Sequence, residues 1–198
     1  MISRTIREQV TRQLRDAVVS GEYPSGQPLR ETEVAERFGV SRGPIRDAFL
    51  QLSHEGFLAY QANCGVTVRK APDSLNREFI VSLRQQTECY TLKHGFDRLT
   101  GSSLDAVEEA LLQLRAACTD GDIARIAHCD VSFHQLILEA CGGDDLLPVW
   151  KWLCSQMLLS YSRLDDNEQI YQEHVSILEA IRAGNKQKTI AAIKANIR

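Results

Sequence analysis

The sequence predicts a mostly α-helical chain, with an N-terminal winged helix-turn-helix followed by an antiparallel all-helical bundle. Two observations carry this. Residues 29–69 divide into a short amphipathic helix, a tight turn, a second helix that begins at a good N-cap, and two short alternating segments. Beyond Pro72 no convincing strand pattern appears, and six stretches of helical periodicity are separated only by short Gly, Asp and Asn connectors.

In chain order, Ile6, Val10, Leu14, Ala17 and Val18 recur at helical spacing, so residues 5–20 form an amphipathic helix. Residues 21–28 are a turn-rich connector containing two glycines and two prolines. Val34, Ala35 and Phe38 mark the next helix, which Gly39 ends as the residue best able to adopt positive φ. Ser41 is placed to cap the following helix through its hydroxyl. Pro44 falls in that helix's first turn, where its missing N–H costs no intrahelical bond. Ile45, Phe49, Leu50 and Leu52 fall mostly on one side, Arg42 and Arg46 on the other. Gly56 stops the helix, and residues 57–61 and 65–69 are two strands joined by Ala62-Asn63-Cys64, the hairpin of a wing. The expected domains are 1–70, a 71–74 linker with Asp73 or Ser74 as the next cap, and 75–198. Helices are expected at 75–99, 103–119, 122–141, 144–164, 167–183 and 186–198, short connections between them favouring antiparallel neighbours.

A helix that projects arginines from its N-terminal half suits the major groove, where arginine pairs bidentately with guanine O6 and N7. Ser41 and the helix N-terminus suit a phosphate oxygen. Two arginines one turn apart are by themselves commonly just a solvated face; the cap, turn and wing together turn the reading toward DNA. Arg7, Arg12 and Arg15 of the first helix are read as a solvated face.

In the body, Asp130, His134, Ile137, Leu138 and Cys141 share one face of a helix, and His174, Ile177, Leu178 and Ile181 share a face of another. Polar groups pointing with core residues need partners, since unpaired burial costs about 1–3 kcal/mol or more. A shared divalent ion would satisfy Asp130, His134 and His174 together, and such ligands suit zinc, nickel, manganese or iron. The alternative is a hydrogen bond between Asp130 and His134, with His174 bonded to a nearby carbonyl. His94 and His128 are read as surface or satisfied histidines, and His54 sits beside Glu55 on the outer side. Arg84 is either a carboxylate clamp or one half of an intrahelical pair with Glu88.

Composition narrows the function classes. The six cysteines are scattered without a CxxC pair, which reads as reduced, buried thiols in a cytoplasmic protein; Cys64 in the wing is the candidate for a redox role. Neither a signal peptide nor an apolar run of membrane-spanning length is present. Residues 1–70 hold ten Lys/Arg against eight Asp/Glu and residues 71–198 thirteen against eighteen, so the basic excess sits in the head. The sequence stops at Arg198 inside a helical stretch with no stop signal, as a clipped C-terminus would.

The run from Glu33 to Leu52, followed by Glu55-Gly56-Phe57-Leu58 and Asn63-x-Gly65-x-x-Val68, closely resembles the DNA-binding domain of GntR-type bacterial transcription regulators. That resemblance implies operator contacts from Arg42, Arg46 and Gly65. Where some members carry an arginine this chain has Thr32, and where many carry a basic residue it has Cys64. Residues 75–198 resemble the all-helical FCD effector domain of the FadR branch through Arg84-x-x-x-Glu88, Asp130-x-x-Phe133-His134 and His174-x-x-Ile177-Leu178-x-Ala180-Ile181-x-x-Gly184. Many such domains hold a metal with one Asp and three His, beside which small carboxylates bind. Asp130, His134 and His174 match three of those positions, and Asn196 stands at the fourth, expected near the middle of the last helix.

The resulting expectation is a homodimeric, cytoplasmic transcription regulator, a repressor, on double-stranded operator DNA. A small organic acid held by Arg84 beside a divalent metal would control it. The alternatives are a metal- or redox-sensing regulator without an organic effector, and a metal-dependent enzyme fused to a DNA-binding head. The enzyme is disfavoured because no carboxylate is obviously placed as a general base.

Overall fold

The computed structural model describes residues 5–61, 65–159 and 166–198. Residues 62–64, on which the expected hairpin link and the expectation for Cys64 fall, and residues 160–165, on which the end of the expected 144–164 helix falls, lie outside the described residues. The chain divides into two compact units, Met1–Pro72 with Ser155–Ser162 and Asp73–Cys154 with Arg163–Arg198.

The first unit opens with α1 (Ile6–Val19), started by a capping box in which Thr5 and Glu8 bond reciprocally. Its buried face, Val10, Leu14 and Val18, and the buried side of α3 (Arg42–His54), Ile45, Phe49 and Leu52, form the core of this unit. Leu50 departs from the expected apolar side and is 44% exposed. Between them runs α2 (Glu31–Phe38), ended by Gly39 at φ 63°. Ser41 occupies the N-cap of α3 but makes no capping bond through its side chain, against expectation. The reason is local: an N-cap hydroxyl accepts from the second or third helical N–H, and the third residue here is Pro44, which has none.

The wing strands are β2 (Leu58–Gln61) and β3 (Gly65–Val68), paired antiparallel in the register Leu58↔Val68 to Gln61↔Gly65. Phe57, expected in the strand, precedes it. A further strand, β1 (Pro28–Leu29), pairs with the other edge of β3, so the sheet order is β1-β3-β2. The sequence assigned Pro28 to a connector. Two residues give no alternation to detect, and proline is tolerated there because β1 is an edge strand.

The second unit is helical: α4 (Ser74–Gly95), α5 (Ser102–Asp120), α6 (Ile123–Ala140), α7 (Leu147–Leu158) as far as Cys154, α8 (Asn167–Arg182) and α9 (Lys186–Asn196). Asp73, Asp122, Asp166 and Asn185 each cap a helix by accepting from an N–H three residues on. The expected 144–164 helix is divided, with a 3-10 turn at Asp144–Leu146 before α7. The last helix ends at Asn196, and Ile197 is extended. Leu138, Trp150 and Cys154 pack together as part of the core.

One close approach orders this unit. A Cβ added at Gly95 would stand 2.0 Å from the carbonyl oxygen of Cys141, the residue that caps α6, so the ends of α4 and α6 meet backbone to backbone. Gly95→Ala should destabilise the protein toward the upper end of about 1–3 kcal/mol, because backbone rather than a flexible side chain must move. Urea unfolding would show a lower midpoint at unchanged slope.

Candidate functional site

In the first unit the outer face of α3 is open: Ser41, Arg42, Gly43 and Arg46 are all exposed. The two arginines converge on one carboxylate, that of Glu31 at the start of α2. Arg42 Nη2 donates to Glu31 Oε2 at 2.9 Å, and Arg46 donates from Nε to Oε1 and from Nη2 to Oε2, both at 3.1 Å. The hydrogen bonds from Arg46 and Arg42 hold the Glu31 carboxyl down at about 2. Gly65 begins β3 at φ 78°, with nothing among the described residues within 4 Å of where a Cβ would stand. Thr32 is exposed in the first turn of α2.

In the second unit four helices bring side chains to one buried cluster. Asp130 and His134 come from α6, His174 from α8, Asn196 from α9, and Arg84 and Glu88 from α4. Both histidines are 0% exposed, so whatever satisfies their nitrogens must lie inside the protein. His174 Nδ1 donates to the Ile170 carbonyl oxygen at 2.8 Å, which leaves Nε2 with its lone pair. That Nε2 lies 3.1 Å from Asp130 Oδ1, close enough for an ion pair but outside hydrogen-bond geometry, and it makes no hydrogen bond among the described residues. A buried imidazole lone pair facing a carboxylate oxygen is an arrangement that a cation between them would stabilise.

His134 is held at both nitrogens. Nδ1 donates to Glu88 Oε2 at 2.7 Å, and Nε2 lies 2.9 Å from Asn196 Oδ1. Asn196 is oriented in turn by Nδ2, which donates to Glu173 Oε2 at 3.2 Å. Of the alternative to a shared ion, the His174 bond to a carbonyl is present, but Asp130 is not among His134's partners and faces His174 instead. Ligand atoms of Asp130, His134 and His174 all lie within 4.8 Å of one another. Each histidine tethers Nδ1 to a carboxylate or a carbonyl and points Nε2 inward, the outer-shell pattern of metal-ligating imidazoles.

Glu88 organises the cluster. Its Oε1 accepts from Arg84 Nε at 2.9 Å and from Trp150 Nε1 at 2.7 Å, while Oε2 takes the His134 bond. The intrahelical Arg84–Glu88 pair is therefore formed, and the Arg84 guanidinium lies over the Trp150 ring with Nη2 4.0 Å from Asp130 Oδ2. Burial pushes the carboxyls of Glu88 and Asp130 up, but the surrounding charge wins. Hydrogen bonds from His134 and Trp150 and the Arg84 charge bring Glu88 down to about 2, and the Arg84 charge also lowers Asp130. Two ionised carboxylates then face one guanidinium, and the donor set of two imidazoles, a carboxylate and an amide oxygen would accept a divalent ion as the balancing charge.

The sequence points to Arg84, Asp130, His134, His174 and Asn196, and to Glu88 only as an intrahelical partner of Arg84, not as the residue that also holds His134 and Trp150. It leaves out Glu31 and Trp150, for which no periodic signal exists. An open groove of about 590 Å3 lined by Gln86, Tyr90, Lys93 and Lys194 lies on another face of α4 and takes in none of this chemistry. The remaining histidines stand apart: His94 packs against the Tyr90 ring, and His54 and His128 are exposed. Among the described residues the cysteines are free thiols. Burial pushes Cys118 and Cys141 up to about 11 and Cys154 to about 12, away from thiolate chemistry.

The family model described as FCD domain matches residues 80–198, and that described as bacterial regulatory proteins, gntR family, matches residues 6–68. The chain is 27% identical over 186 residues to the HTH-type transcriptional repressor RspR of Escherichia coli (strain K12), covering 91% of this chain and 80% of that protein. It is similar to the crystal structure of a GntR transcriptional regulator from Rhodococcus sp. RHA1, with a TM-score of 0.78 and 25% identity over 96% of this chain and 93% of the other. The fold is also that of E. coli McbR/YncC, with a TM-score of 0.79 and 20% identity over 98% and 94% of the two chains.

Proposed function

The chain belongs to the gntR family of bacterial regulatory proteins, in the branch that carries an FCD domain, and from that premise we propose that it is a repressor released from its operator by a small carboxylate. Members of this family bind operator DNA, so the chain is a DNA-binding transcription regulator and not an enzyme. Arg42 and Arg46 read base edges in the major groove, while Ser41 and Gly65 hold the phosphate backbone. Because Ser41 is not spent on capping α3, its hydroxyl remains available to a phosphate oxygen.

The observation that carries the effector reading is the inward lone pair of His174 beside Asp130, with His134 and Asn196 completing the ring of donors. Asp130, His134, His174 and Asn196 would hold zinc, nickel, manganese or iron, and a bound divalent ion would supply a Lewis acid to a carboxylate. Arg84, the guanidinium of this cluster, offers the planar fork that carboxylates accept. An effector acts only if it binds one arrangement of the regulator more tightly than the other.

The regulator works as a homodimer in the cytoplasm. Leu75 and Phe79 on one face of α4 are 76% and 62% exposed, an apolar surface that a second copy would cover. Among the described residues no helix is long and apolar enough to cross a membrane.

The test is release of a duplex that the protein itself selects from a randomised pool. Small mono-, di- and tricarboxylates are titrated with and without added zinc, nickel or manganese. Release by a subset of carboxylates, stronger with metal, is expected. Release by metal or oxidant alone, with no answer to any carboxylate, would replace this reading with a sensor lacking an organic effector.

A further inference from the structure

The head carries a second charged group that no sequence motif announces. The Glu31 carboxylate grips Arg46 along the edge formed by Nε and Nη2, and the same carboxylate takes Arg42 Nη2. A guanidinium is planar and carries five N–H donors, so holding the Nε edge leaves the Nη1–Nη2 edge facing the other way. That outer edge can meet guanine O6 and N7 as a pair. The exposures agree with this division: the Glu31 side chain is 24% exposed beneath arginines at 59% and 58%. A long, unrestrained arginine must give up its rotamer freedom on binding, whereas one already held gives up less.

We propose that Glu31 is a specificity-determining positioning residue, which bridges Arg42 and Arg46 and presents their outer edges to base pairs of double-stranded DNA as one preset unit. It rests on the reading that these arginines meet bases. The Glu31 charge also opposes phosphate, so the residue lowers affinity for any duplex while sharpening the choice among duplexes. Glu31 is the first residue of α2, where a negative charge also suits the helix dipole.

The test uses the full chain and two duplexes, one selected by the wild-type protein from a randomised pool and one scrambled at equal length and composition. Binding at fixed salt is measured for wild type, Glu31→Gln, Glu31→Asp and Arg46→Ala, with thermal midpoints to confirm folding. Glu31→Gln should lower the preference for the selected duplex by about tenfold, while binding to the scrambled duplex stays equal or tightens. Glu31→Asp keeps the charge at the helix N-terminus but is too short to span both arginines, so it should lose preference too. Equal tightening on both duplexes would make Glu31 a simple competitor for the arginines and overturn the proposal, as would an unchanged preference in both variants. If Arg46→Ala keeps the full preference, the reading of Arg46 as a base contact fails. If preference is lost in Arg46→Ala and kept in both Glu31 variants, the role of Glu31 alone fails.

Discussion

Glu88→Ala should destabilise the protein by about 3–5 kcal/mol, the cost of leaving buried charged and polar partners uncompensated. The substitution strips the acceptor from Arg84 Nε, Trp150 Nε1 and His134 Nδ1 at once, at a residue only 3% exposed, where water cannot replace it. Chemical denaturation would read the loss directly, and a change below about 1 kcal/mol, the size of an ordinary surface pair, would show that the cluster does not depend on Glu88. The acid limb gives a second reading. Glu88 titrates near 2 in the folded protein against 4.5 for an unperturbed carboxyl, so its contribution is complete above about pH 4.5 and is lost as pH falls toward 2. Glu88→Ala should therefore flatten the fall in stability over that window, followed by tryptophan fluorescence. Glu88→Gln separates packing from proton chemistry. Its amide oxygen can still serve Arg84 and Trp150, but its NH2 facing His134 would demand a lone pair on Nδ1 and thereby move the proton to Nε2.

That tautomer matters for the second large effect. His134→Ala should reduce divalent metal from near one per chain in the purified wild type to below about a tenth, since loss of a ligand exceeds the 10–100-fold typical of losing an outer-shell partner. Glu88→Gln should lower metal affinity within that 10–100-fold range while keeping the fold, because a protonated Nε2 cannot ligate. Elemental analysis of protein purified without added metal or chelator measures both. Asn196→His should raise affinity for zinc or nickel, imidazole being a better donor to these ions than an amide oxygen. Wild type that takes up no zinc, nickel or manganese even on incubation would mean that Asn196 has disabled the site. His134, His174 and Arg84 would then be direct effector contacts, and the search would turn to carboxylates that bind without metal.

What could be read from residues alone followed from patterns that repeat over short distances. The helices of both units were legible because each places apolar side chains at a period near 3.6, and the start of α4 because the Asp73 cap acts within a single turn. The inward direction of Asp130, His134 and His174 was legible for the same reason: they fall in register with Ile137, Leu138, Ile177 and Ile181, all buried. The two-residue β1 was not, because a strand that short shows no alternation. Nor was the free Ser41 hydroxyl, although Pro44 three residues on held the reason in plain view.

Only tertiary structure decided partners. Glu31 meets Arg42 and Arg46 across the turn between two helices, and Glu88 meets His134 and Trp150 from positions 46 and 62 residues away. Whether Arg84 pairs with Glu88, and which carboxylate each histidine faces, depended on how α4, α6, α7, α8 and α9 pack. By itself the sequence determined the classes of element, the direction in which the polar side chains point and the family. The choice among several chemically equivalent carboxylates was left to packing, because one-dimensional spacing carries no record of which helix face meets which.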